Sequence, residues 1–351
     1  MKRHSIAGAA LLALALAGAQ SAAHAQDGAG PSVRISGFGT GALTWTDTDD
    51  AQFATPGQVA GAGKSPRTGP DSRLGLQIDV GINDWFSLTG QGLVRKDGED
   101  YYGAKAALAF AKFKLSDALS VRAGRVPLTV FMISDYRHVG YSNITLRPSQ
   151  EVYSQVPIDS VDGADVTWQR NFGDTTVTGQ VAYGGFRKNM AGGAKATLSE
   201  SAVANLVVEH GPVTFRLGRN DAKLVLDLPF MSLPKTKVSF TEAGVNLDWN
   251  DIVVQSEYTR AKGVGAGSQG WYVMGGYRFG KLLPFYSHGK LIQPNGQSTD
   301  SVGLRWDAFR AADIKFQVDR VQPEGPGLFL NAKPGFRGPV TVGAVAVDFV
   351  F

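Results

Sequence analysis

"SRLGLQIDVGI", residues 72–82, decides how this chain folds. Leu74, Leu76, Ile78 and Val80 fall on one side of an extended backbone, and Arg73, Gly75, Gln77 and Asp79 on the other. Side chains of a strand alternate between its two faces, so the segment reads as a strand with one greasy and one wet face. The period recurs. Val302, Leu304 and Trp306 alternate with Ser301, Gly303, Arg305 and Asp307, and Ile314, Phe316 and Val318 with Lys315, Gln317 and Asp319.

Working outward, the connections between such segments also alternate. Short turns are expected at Asn83-Asp84, Ser116-Asp117, Phe172-Gly173, Gly211-Pro212, Asn250-Asp251, Gly280-Lys281 and Ala311-Ala312. Longer polar stretches separate them, near 47–71, 96–102, 126–160, 186–200, 221–237, 262–269, 291–299 and 323–338. Together these predict sixteen strands near 33–46, 72–82, 85–95, 103–115, 118–125, 161–171, 174–185, 201–209, 212–220, 238–249, 251–261, 270–279, 282–290, 300–309, 313–322 and 339–351. In 103–115, Lys105 and Lys112 have opposite parity, which calls for a bulge.

A strict alternation of short turns and long loops, with an even strand count, is the pattern of an all-β transmembrane antiparallel barrel. A soluble sandwich would divide into domains of roughly 100 residues, and neither a linker nor a shift of composition marks such a division. A β-helix would show a short repeat; none is found. At the N-terminus, Lys2 and Arg3 precede an apolar run from Ile6 to Ala17, and Ala23-His24-Ala25 makes a small-x-small cleavage site. Residues 1–25 therefore read as a signal peptide, and 26–351 as one barrel domain. The chain lacks cysteine, and its formal charge of +4 offers no basis for a nucleic-acid partner.

The terminal octet "AVAVDFVF" (344–351) fits the same scheme: Val345, Val347, Phe349 and Phe351 toward lipid, Asp348 toward the lumen. It is expected to pair with the first strand, so that no edge is left open in the bilayer. Aromatics at strand ends match interfacial girdles: Trp85, Phe86, Trp168, Trp249 and Phe279 on the short-turn side, Trp45, Tyr183, Tyr258 and Trp271 on the other.

With its leader, its strand count, its long third loop, the segment "SVRAGRVP" (120–127) and its terminal phenylalanine, the chain resembles the sixteen-stranded outer-membrane porins of Gram-negative bacteria. The resemblance implies an outer-membrane location and contact with outer-membrane lipid. It also implies a homotrimer, and reading of the strand that ends at Phe351 by the barrel-assembly machinery. The usual third-loop motif of that family, proline-glutamate-phenylalanine-glycine-glycine, is absent here, so its constriction geometry is not carried over.

The third loop, 126–160, holds Phe131, Met132, Tyr136, Tyr141 and Tyr153, too apolar a set to stand in water. Folding against the inner wall is the expectation, with Asp135, Tyr136, Arg137, Arg147, Glu151 and Asp159 at a constriction. Arg73, Arg95, Lys112, Lys114 and Arg122 point inward by parity and would form a basic wall opposite the acids Asp135, Glu151, Asp159 and Asp162. On the lipid side a basic residue at mid-bilayer would cost about 2–4 kcal/mol. Further lumen candidates are Arg216, Arg278, Arg305 and Lys315, against Asp79, Asp165, Glu242, Glu257, Asp307 and Asp319.

The reading is a water-filled porin for small hydrophilic solutes and ions, with no enzymatic chemistry, cofactor or metal. The alternatives are a channel selective for carboxylates, sugars or phosphate, with Tyr136, Tyr141 and Tyr153 as a slide or Arg137 and Arg147 as an anion clamp, and a barrel lipid hydrolase. Against the hydrolase, Ser287 and His288 are adjacent and must face opposite ways. His138 has Ser134 and Asp135 nearby, and His210 sits in a turn.

Overall fold

Every predicted strand is present. The computed structural model describes residues 31–98, 100–189, 195–263 and 265–351; the expected leader lies outside them. The strands are β1 (Ser32–Thr46), β2 (Arg73–Asn83), β3 (Phe86–Lys96), β4 (Tyr102–Lys114), β5 (Leu119–Pro127), β6 (Ser160–Phe172), β7 (Thr175–Asn189), β8 (Lys195–His210), β9 (Val213–Leu228), the two-residue β10 (Met231–Ser232), β11 (Thr236–Trp249), β12 (Ile252–Lys262), β13 (Ser268–Tyr277), β14 (Leu282–Ile292), β15 (Gln297–Trp306), β16 (Ala312–Pro323) and β17 (Val340–Val350). Without β10, which only extends the tip of one hairpin, sixteen strands make the wall. Each pairs antiparallel with its sequence neighbours, and β1 pairs with both β2 and β17, closing the barrel.

The closure places Thr40 between Arg73 of β2 and Asp348 of β17. The Thr40 hydroxyl donates to the buried Asp348 carboxylate. On the outer face the rings of Phe349 and Phe351 lie over Gly39 and Gly37, where any Cβ would overlap them. Glycine at these two positions lets the seam carry two aromatic rings on its lipid side.

The expected bulge falls in β4. Gln91 pairs with Leu108 but Gly92 with Ala106, so Ala107 is the extra residue. The slip turns both Lys105 and Lys112 inward. Short hairpins use left-handed residues where the chain reverses: Gly173, Gly211, Asn250 and Gly280 all have positive φ.

Three strands are longer than expected. Strands predicted at 174–185, 201–209 and 212–220 run to Asn189, start at Lys195 and continue to Leu228. Most of the stretches expected as loops at 186–200 and 221–237 is therefore ladder. Above the bilayer both faces of a hairpin meet water, so Lys223, Asp227 and Lys195 blur the alternation without ending the pairing. Register shifts at Gly184/Phe186 and Ser199/Ala202 absorb the change of environment.

Candidate pore and its charged lining

The third loop folds into the barrel. Its neck is closed by the Leu128 amide donating to the Asp159 carbonyl (3.0 Å), and from there it lies against the far wall from β7 round to β1. Thr129 docks first: its hydroxyl donates to Gln180 (2.8 Å), and Arg216 donates to its carbonyl (2.7 Å). Phe131, fully buried, stacks on Tyr153 (centroids 4.4 Å apart) and meets Phe240 edge-on (5.1 Å). Glu257 of β12 accepts from the Met132 amide (3.0 Å), Tyr153 (2.5 Å) and Tyr272 (2.9 Å).

Further along, Lys315 donates to the Gly140 carbonyl (2.7 Å), and Arg305 to the carbonyls of Tyr141 (2.8 Å) and Asn143 (3.0 Å). Arg147, almost fully buried, bridges Asp71 (2.8 and 2.9 Å) and Asp319 (2.5 Å). The single helical turn α1 (Gln150–Tyr153) follows, and Glu151 accepts from Gln297 (2.8 Å) and Thr299 (2.5 Å). Between loop and wall a small polar cavity of ≈ 50 Å³ remains, lined by Arg147, Glu151, Tyr153, Gln255, Ser287 and Asp319 among others. That is room for water alone.

This packing revises two expectations. Arg147 is spent on two carboxylates and cannot clamp a passing anion. Tyr153 lies under Phe131, and Tyr141 donates to the Arg310 carbonyl (3.0 Å), so only Tyr136 of the three tyrosines is exposed and no aromatic slide is formed.

The wall from β2 to β7 is different. Arg95 contacts Asp97 and Asp159 (3.3 Å each); Lys105 contacts Asp97 (2.7 Å) and Asp159 (3.8 Å); Lys188 contacts Asp97 (3.3 Å); and Arg137 pairs with Asp159. Four cations thus share two carboxylates. His138 joins them, its Nε2 at 3.1 Å from Asp159. Arg73 lies beside this group; among the described residues its Nε and Nη2 have no hydrogen-bond partner, and its charge is met by the nearby Asp348 and Asp71. Those acids already serve Lys315 and Arg147.

The loop groups register the resulting positive field. Burial opposes ionisation of Asp97, but Arg95, Lys105 and Lys188 outweigh it and hold the carboxyl at about 2. Burial, with Arg95 close by, lowers Arg137 to about 9. Burial and the same arginines push His138 well below the usual imidazole range.

Toward the short-turn side, Lys112 pairs in register with Arg122 and is exposed inside the barrel. Among the described residues no ion pair involves it. Arg122 contacts Asp165 (2.8 Å) and lies over the Phe110 ring (5.2 Å). Asp135 and Tyr136 of the loop are exposed facing this region. Lys114 sits at the short-turn rim with Asp117 (2.7 Å), away from the cluster. Asp162 is a correction: it faces outward, bound to Arg125 by two contacts (2.7 and 3.0 Å), and takes no part in an acidic row within the lumen.

Of the other lumen candidates, Arg216 pairs with Glu242 (3.2 Å), and Arg305 with Asp307 (2.8 Å) and Asp313 (3.2 Å). Lys315 pairs with Asp348 (2.9 Å). Arg278 and Asp248 pair at the short-turn rim, as do Arg34 and Asp79. Lys188 and Asp97 were missed because the strand carrying Lys188 was expected to end at 185, and Asp97 directly follows one. Ser287 faces the interior and His288 the outside, where its Nδ1 is 2.8 Å from Asp300. Near His138, Ser134 accepts hydrogen bonds from the amides of Val130 and Phe131.

No family model and no curated protein matches the chain. Among solved structures it is similar to OmpF of Salmonella typhi, solved with daunomycin (14% identity, 92% of this chain and 98% of that one, TM-score 0.61). It is also similar to an anion-selective porin from Comamonas acidovorans (13%, 92% and 100%, TM-score 0.59). A third is the in-vitro folded, trimeric form of OmpT, an outer membrane protein of Vibrio cholerae (14%, 92% and 100%, TM-score 0.58). At these identities the likeness is one of fold: a closed sixteen-stranded barrel of the outer-membrane porin type.

Proposed function

We propose that this porin-type barrel is a passive, water-filled channel of the outer membrane that favours small hydrophilic anions and performs no chemistry. One observation carries the reading: among the described residues Arg95, Lys105, Arg137 and Lys188 share only Asp97 and Asp159, with Lys112 exposed below them. Such a ladder lowers the barrier for an anion at each step while leaving no deep trap, provided the sites are several and close. The separation of Ser287 from His288 by the wall supports a channel over a hydrolase. The trimeric Vibrio barrel supports assembly as a homotrimer.

The test is a planar bilayer holding the refolded protein between unequal potassium chloride solutions. The expected result is a discrete conductance and a reversal potential of the sign set by chloride; a cation-signed potential would overturn the preference. A second reading, a channel selective for multivalent carboxylates or phosphates, is favoured by the unpartnered Nε and Nη2 of Arg73. It predicts block of the chloride current by a dicarboxylate at micromolar concentration.

A further inference from the structure

Toward the long-loop end of β7–β11 the two faces of the wall exchange polarity. In β9 the inward residues change from Arg216, Gly218 and Asn220 to Ala222, Leu224, Leu226 and Leu228. The outward ones change from Phe215 and Leu217 to Arg219, Asp221, Lys223, Val225 and Asp227. Contacts fix which face is which. Arg216 meets Glu242 and the third loop inside the barrel. On the other face Arg219 pairs with Asp221 (2.6 Å), and Lys223 with Glu200 (2.5 Å). β9 pairs with β11 without a register shift, so the exchange lies in the sequence and not in a twist of the backbone.

The neighbouring strands follow. Phe186 of β7 packs on the apolar cluster that holds Phe131 and Tyr153 of the third loop, which places it inside. From it one row runs across the inner face as Phe186, Leu198 and Leu224, and the next row out as Lys188, Ala196 and Leu226. Leu198 is buried, while Leu224 and Leu226 are half-buried on the side that lines the channel mouth. Lys188 stands at the edge of this greasy face and turns to Asp97 (3.3 Å), a carboxylate that Arg95 and Lys105 already share.

We infer that Leu198, Leu224 and Leu226, with Lys188 beside them, form an entry site for apolar monocarboxylates: solutes with one carboxylate and a short aliphatic body. Two features select this occupant. A hairpin with water on both sides gains nothing from leucines on one of them, so the inner face is matched to an apolar body in the mouth. Beside it the cations outnumber the acids, which suits a single negative end and leaves no place for a second one among the leucines. The spacing sets the size. Lys188 is one strand and two residues from Leu198, a backbone separation of about 8 Å, and two strands from Leu226, about 10 Å. An acid held by its carboxylate at Lys188 covers that span with about six to eight carbons. The inference rests on the anion preference proposed above and narrows it to one class of solute.

The experiment adds butanoate, hexanoate, octanoate or neutral octanamide to the refolded channel in a planar bilayer and reads the concentration that halves the chloride current. A fully buried methylene is worth about fourfold in affinity, so on a face wet on one side about twofold is expected, and octanoate should block at roughly one-fifteenth of the butanoate concentration. Octanamide should not block at the concentration where octanoate halves the current; equal block by the two would overturn the inference. Equal half-blocking concentrations for butanoate and octanoate, in a channel whose reversal potential in unequal potassium chloride has the chloride sign, would overturn this inference alone. A cation-signed potential would overturn the reading beneath it. In L224S/L226S the difference between butanoate and octanoate should shrink to about threefold or less, while Val225→Ser, on the outward face between them, keeps the full difference. An undiminished difference in the double variant overturns the site. If the double variant does not insert, Lys188→Gln must raise the half-blocking concentration of octanoate at least about threefold, and an unchanged value overturns the site.

Discussion

Two halves of one interior treat charge in opposite ways. From β9 round to β1 the loop covers the wall, and the buried cations there are paired: Arg216 with Glu242, Arg147 with Asp71 and Asp319, Lys315 with Asp348. From β2 to β7 the loop leaves the wall partly exposed to the lumen, and four cations divide two acids. Water explains the difference. A buried ion costs several kcal/mol unless it is paired and hydrogen-bonded, whereas partial contact with lumen water, as at Lys105, lets an unbalanced row stand. The packed half is held rigid by paired and hydrogen-bonded groups, and the partly wet half is free to carry a positive field.

The largest effect should come from breaking the packed half. Arg147→Ala leaves Asp71 and Asp319 buried without a cation, a loss of about 3–5 kcal/mol. The loop should loosen from the wall, and single-channel conductance should rise with added noise. A quiet channel of unchanged size would break the comparison at its root.

The next change strips the open half. R95Q/R137Q removes two of the four cations, and the reversal potential in unequal potassium chloride should lose more than half its anion bias. The matching change in the packed half, Arg216→Gln with Glu242→Gln, should leave that potential where it was while lowering the unfolding temperature. Equal shifts from both pairs would erase the distinction.

A smaller shift toward cations is expected for K112Q/R122Q, because Arg122 already faces Asp165. Smallest of all is the effect of pH. Asp97, just past the end of β3, is held at about 2, below its ordinary value near 3.9. Its ion pairs therefore contribute fully above that ordinary value and are lost only as pH falls through about 2. His138 is pushed well below the usual imidazole range by burial and arginines. These two groups give the reversal potential no titration centred near 6.5; one found there would mean that His138 faces open water.

Much of this was legible in the sequence because a membrane wall has a rule with period two. Residues 73–80 obey it throughout, and the parity of Lys105 and Lys112 located the bulge. Parity held the answer for Asp162 as well: it lies three positions from Asp165, so the two cannot share a face. The rule fails where its cause is missing. Above the bilayer both faces of β7–β9 are wet, so Lys188 fell outside its expected strand. Nor does periodicity reach the loop, whose anchors lie far off in the chain: Arg147 is 172 residues from Asp319. Such pairs are set by where a loop comes to rest, which local pattern does not encode.

Because the chain has no cysteine, a single introduced thiol can report which half of the interior meets the current. Lys112→Cys and Thr259→Cys are the decisive pair, the first exposed in the open half and the second fully buried behind the loop. With an anionic methanethiosulfonate added to an open channel, Lys112→Cys should react quickly and its current should drop in a step, while Thr259→Cys stays silent. Rapid reaction at position 259 with none at 112 would contradict the account.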